Sequence, residues 1–96
     1  MRDLPPEAQQ ALGYSLRRVQ RGQDPVDWKP MQSVGPSVME LRARVGGAYR
    51  LIYIARFEEA IYVLHVFQKK SQRTSMLDLE LASSRYRTLS RTRSEK

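Results

Sequence analysis

A chain of 96 residues is expected to form a single domain, 1–96, with a modest core. No cysteine and a single histidine exclude disulfides, thiolate chemistry and a zinc site of the usual kind. Lys and Arg number 17 against 10 Asp and Glu, a formal charge of +7 that suits phosphate backbones or an acidic protein partner.

No apolar run approaches the length of a membrane span, and MRDLPPEAQQ lacks the apolar stretch of a signal peptide, so a cytoplasmic protein without membrane contact is expected. The cations are clustered. Residues 42–56 hold four arginines and no acid, 69–73 hold three cations, and 85–96 hold five against one acid.

The first element reads as a helix over about the first 20 residues. Pro5 and Pro6 suit its first turn, Asp3 is a candidate N-cap, and Gly22 a candidate stop. Ala8, Ala11, Leu12, Leu16 and Val19 recur at helical spacing. Residues 24–36 contain Pro25, Pro30, Gly35 and Pro36 and read as a loop, with Trp28 expected to anchor it on the core.

Three strands follow, over 38–45, 49–56 and 60–68, joined by tight turns at Gly46-Gly47 and at Phe57–Glu59 into an antiparallel meander. A last helix is expected over about 75–90. Met76, Leu79, Ala82, Tyr86 and Leu89 form its apolar face, Ser75 and Asp78 its capping box, and 91–96 a frayed tail. The order helix, loop, three-stranded meander, helix is α+β, with helices packed on a small antiparallel sheet.

The sequence holds no phosphate-binding loop, no dinucleotide fingerprint and no framed nucleophile. What remains is cationic chemistry. RNA carries its own nucleophile in the 2′-hydroxyl. A protein cleaves it without metal by removing that proton, stabilising the charge that builds on phosphorus, and protonating the leaving 5′ oxygen. Arginine suits the second task, and lysine or histidine the proton transfers.

With a two-residue Gly46-Gly47 turn, Ala43 opposes Arg50 and Leu41 opposes Ile52; with a Glu58-Glu59 turn, Arg50 opposes Phe67 and Ile52 opposes His65. Arg50, His65, Phe67 and Lys69 would then share one sheet face, with Arg42 and Arg44 on the other, and a slip of one residue would reverse that division. His65 is equally a core histidine, and a phenylalanine such as Phe67 is more often a core side chain than a base-stacking platform.

The stretch LGYSLRRVQRGQDPVDWKPMQSVGPSVMELRARVGGAYRLIYIARFEEAIYVLHVFQKKSQRT, followed by LASSRYRTL, resembles the HigB-like, phage-related branch of the RelE/ParE toxins. The likeness spans about residues 4–89 and rests on WKPM with VGP, MELR, YRLIY and LHVFQKKSQRT in that order.

The resemblance implies a RelE-like fold and an mRNA interferase that needs no cofactor and acts on translated message at the ribosome. It also implies a cognate helix-turn-helix antitoxin, with DNA contacted only through the joint complex. By the family pattern the catalytic cations are Arg50 for phosphate stabilisation and Lys69 or Lys70 for proton transfer, with His65 a further candidate. Phe67, Arg73, Arg42 and Arg44 are then candidates for RNA contact.

Two departures stand out. Proteins of this kind carry a strand before the first helix, and here Met1 falls at that point, so the first strand is expected to be absent and a sheet edge open. Ser75-Met76 stands where a proline-containing turn is usual. Two other functions fit the same residues: a ParE-like toxin that binds DNA gyrase, and a degenerate module that only binds antitoxin.

Overall fold

A computed structural model describes residues 4–24, 27–54, 61–69 and 75–94. The order is α1 (Pro6–Gln20), β1 (Trp28–Pro30), β2 (Val38–Arg44), β3 (Ala48–Ile54), β4 (Tyr62–Lys69) and α2 (Met76–Ser94). The expected α+β class holds. The sheet, however, has four antiparallel strands in the order β1-β2-β3-β4, not three. Among the described residues no strand precedes α1.

The additional strand arises inside the stretch read as a loop. Trp28, Lys29 and Pro30 pair with Leu41, Glu40 and Met39. Proline is compatible here because β1 is an edge strand and its last residue needs no outward donor. Trp28 is 39% exposed on this edge, so it is not the buried anchor expected of it.

α1 takes its cap position at Pro5, with Pro6 in the first turn; Asp3, the expected N-cap, lies outside the described residues. The helix ends as expected at Gly22, whose φ of +78° only glycine adopts cheaply. The Gly22 N–H bonds the Val19 carbonyl and the Gln23 N–H bonds the Arg18 carbonyl, which satisfies two of the last free acceptors. Ala8 and Leu12 are fully buried and pack with Leu41, Ala43, Tyr49, Leu51 and Tyr53 on one face of the sheet.

The β2–β3 turn corrects the expected register. Arg44 pairs with Ala48, so Val45, Gly46 and Gly47 form a three-residue loop with Gly46 at φ +70°. The pairs are therefore Arg42 with Arg50, Ala43 with Tyr49 and Leu41 with Leu51. One extra loop residue slips the ladder by one and turns Arg42 and Arg44 onto the Arg50 face. The β3–β4 register is the expected one: Arg50 with Phe67 and Ile52 with His65. A bulge at Ile52/Tyr53 leaves Leu64 without an opposite residue and lets it point into the core under α2. The expected Phe57–Glu59 turn lies outside the described residues.

α2 covers one end of this second face. Leu79, Ala82, Tyr86 and Leu89 pack with Val38, Ile52, Ile54, Leu64 and Phe67, and Met31 and Val34 close the layer. Met76, expected on the apolar stripe, is 70% exposed, because the first residue of the helix lies beyond the core's edge. The helix also runs on to Ser94 rather than fraying from residue 91, since neither glycine nor proline interrupts it.

The 31–37 segment touches α2 through Gly35. A Cβ there would sit 2.6 Å from Cζ of Tyr86 and 2.7 Å from Cε2. Gly35→Ala is therefore expected to cost about 1–3 kcal/mol by overpacking. A fall in the urea midpoint at unchanged slope checks this, and an unchanged midpoint contradicts it.

Candidate functional site

The sheet face under α2 is apolar at one end and charged at the other. Three cross-strand rows step toward the β2–β3 loop: Glu40–Ile52–His65, Arg42–Arg50–Phe67 and Arg44–Ala48–Lys69. Lys29 opposes Glu40 and joins the first row from β1. Register thus brings Lys29, Arg42, Arg44, Arg50 and Lys69, from all four strands, to one face.

Glu40 lies at the centre of this group. Its side chain is fully buried, and its Oε1 stands 3.4 Å from Arg50 Nε, 3.8 Å from Arg42 Nε and 3.9 Å from Lys29 Nζ. Neither carboxylate oxygen has a hydrogen-bond partner, and nor does Arg50 Nε. The Arg50 Nε–H does not aim at the carboxylate, and Arg42 and Lys29 pair with it from beyond hydrogen-bond distance. Arg42 also approaches Asp27 at 3.9 Å.

The cations differ in access. Arg50 is 3% exposed, and its Nη1 donates to the Tyr49 carbonyl at 3.2 Å. Burial lowers its pKa from the usual arginine value, with Glu40 opposing the shift. Arg42 and Lys69 are half-buried, and Arg44 is exposed. The Lys69 ammonium is pulled below the ordinary lysine value, first by desolvation and then by the Arg50 charge, with Glu40 opposing and Lys29 and Arg42 adding. Arg50 therefore charges the face from beneath, while Lys69, Arg42 and Lys29 can reach a bound anion.

His65 and Phe67 occupy the border between the charged end and the core. Their rings stack at 5.2 Å, and Phe67 is buried in the apolar layer. Arg85 Nη1 donates to the Leu64 carbonyl at 2.8 Å and to His65 Nδ1 at 3.1 Å. Arginine has no acceptor, so Nδ1 offers its lone pair and Nε2–H donates to Asp78 Oδ1 at 2.7 Å. Both ring nitrogens are thus engaged with α2, and the geometry makes His65 a tie between β4 and that helix.

Asp78 also caps α2. The Ser75 hydroxyl donates to Asp78 Oδ2 at 2.6 Å and accepts the Asp78 backbone N–H at 3.1 Å. The Ser75 half of the expected capping box is therefore present, while Asp78 answers through the Ser75 hydroxyl rather than its backbone N–H. Burial alone would raise the Asp78 pKa, but its bonds to Ser75 and His65 outweigh that and leave it below the ordinary carboxylate value. A depressed native pKa contributes stability above the unfolded value that is lost as pH falls through the native one. Asp78→Ala is expected to cost about 1–2 kcal/mol at neutral pH and to flatten the acid limb of the stability profile, as chemical denaturation across pH would read.

Lys70 and Arg73, the remaining expected site residues, lie outside the described residues. Among the described residues no group of three or more His, Cys, Asp or Glu side chains could hold a metal. Nor is any helix there long and apolar enough to cross a membrane.

Lys29, Glu40 and Asp78 were not singled out as site residues from sequence. Lys29 was hidden by the prolines around it. Glu40 alternates with Arg42 and Arg44 and so looks like one more residue of a solvated strand face. The available signal was Arg50, a cation between Tyr49 and Leu51 that needs a buried partner, and Glu40 is the one acid on β2.

No curated protein and no solved structure matches the chain. The profile of the family described as phage derived protein Gp49-like (DUF891) matches residues 1–87, nearly the full length. That span includes every described strand and the whole charged face, and on it the chain belongs to the Gp49-like family of phage-derived proteins, a toxin-like family.

Proposed function

We propose that this chain is the toxin of a type II toxin–antitoxin pair, HigB-like within the RelE/ParE superfamily, and that it cleaves translated mRNA at the ribosome without a metal. The observation that carries the reading is the convergence of Lys29, Arg42, Arg50 and Lys69 on one sheet face, with one buried carboxylate, Glu40, beneath them and Asp27 beside Arg42. With Arg44 on the same face, five cations against Glu40 and Asp27 leave a local excess that a phosphodiester complements.

The chemistry follows from the side chains. Lys69, whose amine is freed at lower pH than an ordinary lysine, takes the 2′-hydroxyl proton. The 2′ oxygen attacks phosphorus and the bond to the 5′ oxygen breaks. Arg42 and Lys29, with Arg50 beneath them, stabilise the negative charge that builds in between. Lys70 donates the proton that the 5′ oxygen takes as it leaves. The products are a 2′,3′-cyclic phosphate and a 5′-hydroxyl. His65 stays in its structural tie, and Phe67 borders the site. The partner that silences such a basic face in the cytoplasm is a helix-turn-helix antitoxin, through which alone the pair contacts DNA.

Inducible expression with primer extension on cellular mRNA tests this reading. Growth arrest with new mRNA ends is expected. Arrest with DNA damage and no new ends would point to gyrase instead, and a soluble, folded product that causes neither would leave only an antitoxin-binding module.

A further inference from the structure

We propose that Glu40 is the positioning residue of this site: a buried carboxylate that gathers Lys29, Arg42 and Arg50 beneath the scissile phosphate while touching neither substrate nor solvent. The inference rests on the RNA-cleavage reading and adds to it the device that holds the cations in place.

Glu40 is unlike an ordinary stabilising carboxylate. It is 0% exposed, and both oxygens lack hydrogen bonds. Burying a charge in this state is costly, and a well-packed apolar side chain at the same position would serve the fold as well or better. Enclosure also removes it from proton transfer, because no ribose oxygen reaches a carboxylate without exposed surface.

What Glu40 does is electrostatic. Its Oε1 has cations from three strands within 3.4–3.9 Å, and these repel one another. A central negative charge keeps them converged. Lys29 Nζ and Arg42 Nε stand 3.9 and 3.8 Å from Oε1, beyond hydrogen-bond distance, and both side chains are partly exposed, so their donors can turn to phosphate oxygens. Lys69 feels the same centre. The charged groups that face it are Arg50 on β3, Glu40 and Arg42 on β2 and Lys29 on β1, and Glu40 alone opposes their common effect.

Glu40→Gln keeps the shape and removes the charge. It makes the face more positive, so KM for RNA should stay the same or fall, while kcat drops about 100-fold as the cations splay. The rising limb of the pH–rate profile, set by loss of the Lys69 proton, should move to lower pH, since the one group that holds that proton on is gone. Glu40→Asp keeps the charge and should leave that limb near its wild-type position, which a merely structural role does not predict.

The companion measurement needs no cleavage: NMR titration of the Lys69 side-chain amine in folded wild type, Glu40→Gln and Glu40→Asp. A lower titration midpoint in Glu40→Gln alone is expected. An unchanged midpoint, or a rise in KM with kcat intact, overturns the role of Glu40. If wild type cuts no RNA at all, the nuclease reading fails, and the titration still decides whether Glu40 organises the cations.

Discussion

Arg50→Ala should abolish RNA cleavage and destabilise the fold at once. Removing the nearest of the three cations around Glu40 leaves a buried carboxylate short of its closest partner. Breaking a buried pair from one side costs about 3–5 kcal/mol. That is a large share of the roughly 5–15 kcal/mol that stabilises a small domain. Loss of transition-state charge stabilisation should cost about 100-fold or more in kcat.

The two effects separate in the double variant Glu40→Met/Arg50→Met, which replaces the pair by apolar side chains of similar length. Stability should return toward wild type, because neither charge is left buried alone. Cleavage should not return. Urea denaturation and single-turnover cleavage of the same preparations read the two quantities. An active double variant would remove Arg50 from the mechanism.

Leu51→Ala is expected to have the largest effect on folding without touching the charged face. Leu51 is 0% exposed at the middle of β3, one of the two strands flanked on both sides, and packs in the layer with Ala8 and Leu12 of α1. Its side chain points away from Arg50, so the cavity opens under α1 only. Leu→Ala in such a core costs about 2–5 kcal/mol. The urea midpoint should fall sharply at unchanged slope, and residual cleavage per folded molecule should match wild type. A loss of activity beyond the loss of folded protein would couple the two faces, against this account.

Both helices, three of the strands and the β3–β4 register were legible because periodicity and end signals agreed. The apolar stripe of α1 stops at Gly22, and Ser75 with Asp78 marks the start of α2. The β1 strand was not legible, because Pro25 and Pro30 signal a break while an edge strand tolerates them. The face of Arg42 and Arg44 turned on one residue of loop length at Val45–Gly47, which two glycines leave undetermined between a two- and a three-residue turn.

The site was half legible. Arg50, Lys69 and their shared face followed from strand pattern, whereas Glu40 required knowing the β1 pairing and the β2–β3 register, which gather Lys29, Arg42 and Arg50 around it and bury a polar position. His65 could be read either way until Asp78 and Arg85 took its two nitrogens.

The central claim, metal-independent cleavage by the RNA's own 2′-hydroxyl, is tested most directly with a translated message carrying a single 2′-deoxynucleotide at the mapped cut. The account predicts that the cut at that position disappears, and that the unmodified message yields a 2′,3′-cyclic phosphate and a 5′-hydroxyl. The same cut on the deoxy message would contradict it.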